Sequence, residues 1–395
     1  MSVLRQIIPV IDMNLRNLPR RLVSSLVVTV GVAGVVGVLI SVLAMAAGFA
    51  RATASTGSPD RVIFLASGSP SEATSSIPND SLPNILDAPG IAKDSQSRPI
   101  VDPASLAQIQ VSPRTAGRHR INLTLRGLGP VAFELRPEIH LVSGRMYRSG
   151  VHELIAGSAA AQYAGLGVGS HLSFQNGDWT VVGLFASTQP SLLESELLTD
   201  AQTLLSAFQR TWYASVTARL AGPQSLDQLK KAIKADPRLH VDVYRESEYE
   251  TRQAQGTAVL LDIIGYFVGG MMALGALFGA LNTLYAAVSS RTLEIAQLRA
   301  IGFAALPVVL SVLAEALLLS IAGALLGALI AWLLFNGHLT SMSIGQGEKA
   351  FAMTVTPGLV LLGIIWGCVI GLAGGLLPAI RAGRLPVARA LTAMA

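Results

Sequence analysis

Apolar residues gather in four long blocks along the chain, at 22–50, 256–290, 306–335 and 357–380. A helix needs ~20 mainly apolar residues to cross the hydrocarbon core of a bilayer, and each block is long enough. Between the first and second blocks runs a polar stretch, 51–255, in which short alternating segments are punctuated by Gly, Pro and Ser. Alternation at period two marks strands, and clusters of Gly and Pro mark the turns between them. The pattern predicts an α-helical membrane protein with four transmembrane helices in a 1+3 arrangement. A large α+β extracytoplasmic domain is expected between helices 1 and 2.

Within 51–255 the alternation predicts strands at 61–66, 120–126, 131–135, 154–156, 179–185, 212–217 and 239–244. Helices are expected at 81–91, 158–163 and 225–235, the last with Ser225 as N-cap and Asp227 in its first turn. Residues 165–169 read as a turn. The elements group as 51–115 with 190–255, and as 116–189, which suggests two subdomains. Residues 1–21 mix four arginines with Val3, Leu4, Ile7, Ile8 and Ile11. That composition suits an amphipathic helix lying in the cytosolic interface, or a plain basic anchor.

Charge orients the chain. Only 13% of residues are charged, against ~25% in ordinary soluble domains. The formal net charge of +5 would suggest nucleic acid if it covered a soluble surface, but it does not. The 51–255 segment holds 19 basic and 19 acidic residues and is neutral. The excess sits in 1–21, in 291–305 (Arg291 and Arg299 against Glu294) and in 381–395 (Arg381, Arg384 and Arg389, with no acid). Short loops rich in Arg and Lys stay in the cytosol. Both termini and the 291–305 turn are therefore expected inside, and the 51–255 domain and the 336–356 loop outside, in a bacterial inner membrane. Membrane lipid is an expected partner and nucleic acid is not. The single cysteine, Cys368, lies in the fourth span, so no intrachain disulfide can form on the oxidising side. Ala44-Met45-Ala46 has the form of a cleavage site, but the apolar run before it is about twice a signal peptide's ~7–15 residues. The first span is read as a retained helix.

The chain's own chemistry is sparse. None of the five lysines (Lys93, Lys230, Lys231, Lys234 and Lys349) follows a glycine, so no P-loop can form to hold a nucleotide. The six histidines are scattered. No catalytic residue and no metal site is assigned. Two carboxylates fall at membrane depth. Asp262 is near the outer end of the second span, at the interface. Glu315 is about nine residues into the third, where a carboxylate is costly, and it is a candidate intramembrane functional residue. It would serve either a proton-coupled carrier or a hydrogen bond to a neighbouring helix. Small residues recur at four-residue spacing as Gly265/Gly269, Gly275/Gly279, Gly323/Gly327 and Gly363/Gly367/Gly371, a pattern that lets helices approach closely.

The densest signal leaves the second span: Asn282-Thr283, a small apolar stretch, then Arg291-Thr292-Leu293-Glu294-Ile295-Ala296-Gln297-Leu298-Arg299-Ala300-Ile301-Gly302. This is an amphipathic segment suited to a groove on another protein, with Gly302 as C-cap; its bland alternative is a solvated turn. The run resembles the permease subunits of MacB/FtsX-type (type VII) ABC transporters, among them MacB-like, DevC-like and lipoprotein-releasing LolC/LolE permeases. Further marks are Asn14-Leu15-Arg16-Asn17, Gly144-Arg145, Gly157, Gly169, Val182-Gly183, Glu315 with Gly323 and Gly327, and Pro378-Ala379 with Arg381-Ala382 and Pro386. No ATPase domain is expected ahead of the first span.

The resemblance implies a non-catalytic permease subunit without a bound cofactor. A separate ABC ATPase subunit would use ATP and magnesium, and a second permease copy would complete a homodimer or a pair with a close paralogue. A coupling helix would contact the ATPase through Arg291, Thr292, Glu294, Ile295, Leu298 and Arg299. The outer domain would hold porter-like and sabre-like subdomains. It would act by mechanotransmission, most simply in export, with a periplasmic adaptor in some relatives. The alternatives are an FtsX-like regulator of a cell-wall hydrolase and a LolC/LolE-like lipoprotein-releasing permease.

Overall fold

Long apolar runs, interrupted at depth only by Asp262 and Glu315, form the greater part of four long helices in the computed structural model of the chain. The structure describes residues 22–54, 56–111, 120–175, 177–290, 292, 296–297, 300–301, 304–344 and 347–384. Among these, the helical stretches long and apolar enough to span a membrane are Ser25–Ala54, Val259–Ala286, Ala305–Phe335 and Pro357–Gly383. The predicted 1–21 helix, most of the 291–305 turn and the tail beyond 384 lie outside the described residues. The fold divides into two units. One takes the described parts of Met1–Ala47, Val259–Asn336 and Thr354–Ala395, and the other takes Gly48–Ala258 with Gly337–Met353.

In chain order the elements begin with α1 (Leu22–Ala54), β1 (Arg61–Ala66), β2 (Ile77–Pro78), α2 (Leu82–Leu86), β3 (Val101–Val111), β4 (Ile121–Leu128) and α3 (Ala132–Leu135). They continue with β5 (Ile139–Gly144), β6 (Glu153–Gly157), α4 (Ser158–Ala164), β7 (His171–Phe174), β8 (Gly177–Ser187), β9 (Leu197–Asp200) and α5 (Ala201–Ala207). Then come β10 (Trp212–Tyr213), β11 (Ser215–Arg219), α6 (Ser225–Ala235), β12 (Val241–Arg245) and α7 (Glu246–Ser290). The last are α8 (Ala305–Phe335), β13 (Leu339–Ile344), β14 (Gly347–Ala352) and α9 (Pro357–Gly383).

In the membrane unit α1 touches every other long helix. Gly265 and Gly269 of α7 face Leu43 and Leu39, Gly323 and Gly327 of α8 lie on the backbone of Thr29 and Ala33, and Gly363 of α9 meets Val36 and Ile40. Without side chains at these positions the backbones close on one another, and van der Waals contact replaces the hydrophobic drive that lipid cannot supply. A Cβ on Gly367 would stand 2.7 Å from the Cβ of Ala324, which seals α9 against α8. The Gly275/Gly279 pair is different, since a Cβ at either meets nothing within 4 Å.

The outer unit is built on a ten-stranded sheet ordered β12-β1-β11-β3-β4-β9-β6-β8-β5, with β7 paired to β8. The long strand β3 changes partner midway. Its first residues (Val101–Ala104) pair with β11, and its remainder (Ser105–Val111) with β4. One core lies where Leu226, Leu229 and Ile233 of α6 cover Val62, Phe64 and Val216. Another surrounds Trp179, with Leu123, Leu154 and Ala160. The loop between α8 and α9 contributes the hairpin β13–β14 to this same unit, and Phe351 sets its ring edge-on to Phe49 at 5.4 Å.

Several sequence expectations change. The 131–135 run is a helical turn, not a strand: Leu135 and Arg136 donate their N–H groups to the carbonyls of Val131 and Ala132, and the three-residue spacing buries Ala132 and Leu135 together. The 81–91 helix is shorter, Leu82–Leu86, and ends before Pro89. The N-cap of α6 is Gln224, while Ser225 is already helical. Strand β3 was not anticipated, because Asp102-Pro103 near its start has the composition of a turn.

The helix contacts predict opposite signs for two substitutions. Gly327→Ala forces α8 away from Ala33 and should destabilise by about 1–3 kcal/mol, the usual scale for overpacking. Gly31→Ala adds a methyl where nothing lies within 4 Å and should be neutral or stabilising by about 0.5–1 kcal/mol. Thermal unfolding of the purified chain in detergent distinguishes the two.

Candidate functional site

Strand β4 turns Arg126 inward at a position where its neighbours Leu123, Leu125 and Leu128 are all buried. A buried guanidinium demands fixed acceptors. Nη1 and Nη2 of Arg126 each donate to one carboxylate oxygen of Glu72 at 3.0 Å, and Nε donates to Glu196 at 2.6 Å. Glu196, just ahead of β9, is 1% exposed and also receives Lys349 of β14. Ser215 donates to Glu72 at 2.5 Å, and the Glu72 N–H donates to the hydroxyl of Tyr249 at 3.0 Å.

A second network adjoins the first. Arg61 of β1 donates to Glu246 at 2.5 Å and pairs with Glu138 at 2.9 Å. Arg136 pairs with Asp102 at 2.9 Å and with Glu246 at 3.6 Å, and it donates to Thr217 at 3.2 Å. Asp102 also accepts the Gly129 N–H at 2.6 Å.

The two networks wall a cavity of about 260 Å³. Phe49, Thr53 and Thr56 from the end of α1 line it, as do Glu246, Tyr249, Glu250 and Gln253 from the start of α7, and Lys349 from the hairpin. The α7 positions follow the i, i+3, i+4, i+7 spacing of one helix face.

Burial and charge pull the carboxylates apart in acidity. Burial would raise Glu196, but Arg126 and Lys349 outweigh it and hold the carboxyl at about 2. Glu72 is likewise depressed, burial being overcome by Arg126. Asp102 is different: burial lifts it to about 6 in spite of Arg136. Glu250 rises furthest, to about 8, through burial and then through Glu72 and Glu246.

Of the residues that the sequence analysis singled out, Arg291, Glu294, Ile295, Leu298 and Arg299 lie outside the described residues. Thr292 is helical, and its hydroxyl donates to the Ser289 carbonyl at 2.8 Å. Glu315 is buried in α8. Neither belongs to the cavity. The cavity cluster was not anticipated. Its traces in the sequence were an arginine within the otherwise uncharged run of β4, and the polar i, i+4 spacing of the 246–253 stretch.

With one membrane-spanning helix before the 48–258 segment and three after it among the described residues, the fold defines a membrane protein with a large α/β domain between its first and second spans. Residues 22–236 match the family described as MacB-like periplasmic core domain, and residues 266–387 the family described as FtsX-like permease C-terminal. The chain belongs to this MacB/FtsX family of ABC transporter permeases. Among solved structures, the periplasmic region of MacB from Actinobacillus actinomycetemcomitans is similar at 11% identity and a TM-score of 0.38, over 50% of this chain and 94% of that one. The extracellular domain of the ABC-type transporter YknZ from Gram-positive bacteria is similar at 12% identity and a TM-score of 0.34, over 47% and 99%. Comparison with curated proteins gives no significant match.

Removing one partner from a buried ion network leaves the other charges uncompensated, at a cost of about 3–5 kcal/mol. Arg126→Met should destabilise the outer unit by that order, and Lys349→Met by less, because Arg126 still holds Glu196. The stability that comes from the depressed carboxyl of Glu196 is present above its ordinary value of 4.5 and is lost as pH falls towards about 2. Arg126→Met should weaken this acid dependence. Thermal melts of the full chain across that pH range measure both effects.

Proposed function

We propose that this chain is the membrane subunit of an ABC transporter that turns ATP hydrolysis by a separate ATPase subunit into motion of its outer domain. Export by mechanotransmission is the activity this reading favours. The observation that carries it is the length of α7, Glu246–Ser290. Its first residues belong to the buried charge networks of one unit, with Glu246 paired to Arg61. Near its end, Val288 belongs to the apolar core with Val308, Val312 and Ala379 of the other. One helix thus has fixed holds at both ends, and the amphipathic 291–301 segment follows it directly in sequence.

In this reading the coupling segment docks on the ATPase through Arg291, Thr292, Glu294, Ile295, Leu298 and Arg299, and the ATPase holds ATP and magnesium. A second permease copy completes the complex, with both termini in the cytosol and the outer domain in the periplasm. Porter-like and sabre-like subdomains of 51–255 then act on the cargo or on an adaptor protein. A buried Glu315 in α8 suits a hydrogen-bonding role within the bundle.

Charge reversal tests the docking. Arg291→Glu or Glu294→Lys should abolish co-purification of the ATPase while the chain still inserts and its outer domain still folds. Co-purification of ATPase in wild-type amounts would contradict the reading.

A further inference from the structure

The cavity in the outer unit carries one more carboxylate than its cations can match. Glu250 stands one turn after Glu246 on α7, so the two share a face and repel. Glu246 is taken up by Arg61 and Arg136. Glu250 makes no ion pair with any described residue. It shares the cavity with Glu246 and Tyr249 of its own helix, Glu72 of the 67–76 loop, Arg126 of β4, Arg136 after α3, Glu196 before β9 and Lys349 of β14. The charges that act on it are those of Glu72, Glu246, Arg126 and Lys349.

The two nearby cations are committed. Arg126 is held by both oxygens of Glu72 and by Glu196, and Lys349 is held by Glu196. An ionised Glu250 therefore meets Glu72 and Glu246 with no free cation beside it. A protonated Glu250 removes that repulsion and leaves both ion networks unchanged. The location adds meaning, because the end of α1, the start of α7 and the α8–α9 hairpin all line this cavity. These are the segments by which the chain passes between the outer unit and its spans.

We propose that Glu250 is a proton-held latch: neutral, it lets the second turn of α7 lie against the cavity; ionised, it is driven from Glu72 and Glu246 and the turn loosens. The carboxyl's rise to about 8, caused by burial and then by those two glutamates, sets the pH at which the latch changes. The sign follows from the direction of the shift. A carboxyl raised in the fold contributes stability that is fully present below its ordinary value of 4.5 and is lost as pH rises through about 8. Glu196 has the opposite dependence, so the cluster is firmest between the two. The consequence for transport, a coupling that slackens in alkaline surroundings, rests on the role of α7 proposed above. The latch itself does not, and it can be tested without an ATPase.

The test is hydrogen exchange by mass spectrometry on the full chain in lipid nanodiscs, at about pH 6 and about pH 9, corrected for intrinsic rates. Protection of the 246–258 amides should fall about tenfold or more in the wild type, the equivalent of one pKa unit of differential interaction. Glu250→Gln should keep its protection at both pH values. Glu248→Gln, whose native side chain is 51% exposed, should behave as the wild type. Equal wild-type protection at the two pH values would overturn the proposal, and this arm needs no variant. A pH dependence undiminished in Glu250→Gln would overturn it as well.

Discussion

Arg126 is the interaction on which the outer unit depends. It sits in a strand buried along almost its whole length, with Thr124 and Leu128 beside it on the same face, and it satisfies its guanidinium with two carboxylates that the chain brings from far apart. Glu72 comes from the loop after β1, and Glu196 from the turn before β9. Each carboxylate then recruits more of the fold: Ser215 of β11 and Tyr249 of α7 for Glu72, and Lys349 of the hairpin for Glu196. A buried ion pair of this kind is weak evidence of net stability, because desolvation offsets much of the attraction. Its more secure effect is geometric. Fork-shaped guanidinium donors accept only one arrangement of carboxylates, so five separate segments are held in register around one residue.

The membrane unit solves a different problem with a different interaction. Lipid gives helices no hydrophobic reason to associate, so close contact must do it. Helix α1 supplies the surface, with Val32, Val36, Leu39 and Ile40 almost wholly buried, and glycines on the three later helices close onto it. The two units thus use opposite chemistry, buried charge in one and close backbone contact in the other. Membership of the MacB/FtsX family fits this division, since the two family regions cover the outer domain with α1 and the later spans respectively.

The layout was legible because hydrocarbon thickness dictates a length, and four apolar blocks met it without any tertiary context. Strand β8 was legible because its buried positions Trp179, Val181 and Phe185 alternate with more exposed ones, and β1 because it is a short run of strand-favouring residues, Val62-Ile63-Phe64-Leu65, although it is buried on both faces. The cavity was not, for a physical reason. Arg126, Glu72, Glu196 and Lys349 are brought together by a strand order that no local pattern encodes, with β9 inserted between β4 and β6. Lys349 looked like an isolated loop charge beside Glu348; only the folded hairpin sets it against Glu196. The 246–253 stretch carries polar residues at i, i+3, i+4 and i+7, yet no local pattern says that this side lines a cavity. Strand β3 hid behind Asp102-Pro103, where Asp102 is wholly buried against Arg136 rather than capping a turn.

The central claim is that nucleotide binding by a partner ATPase moves the start of α7 within the outer unit. Spin labels at Gly256→Cys on α7 and Val142→Cys on β5, in a Cys368→Ser background, report that motion directly. In the complex reconstituted with its ATPase, the account predicts that ATP shifts the distance distribution by several ångström, and that a version lacking the 291–301 contact shows no shift. Identical distributions with and without ATP in the intact complex would contradict it.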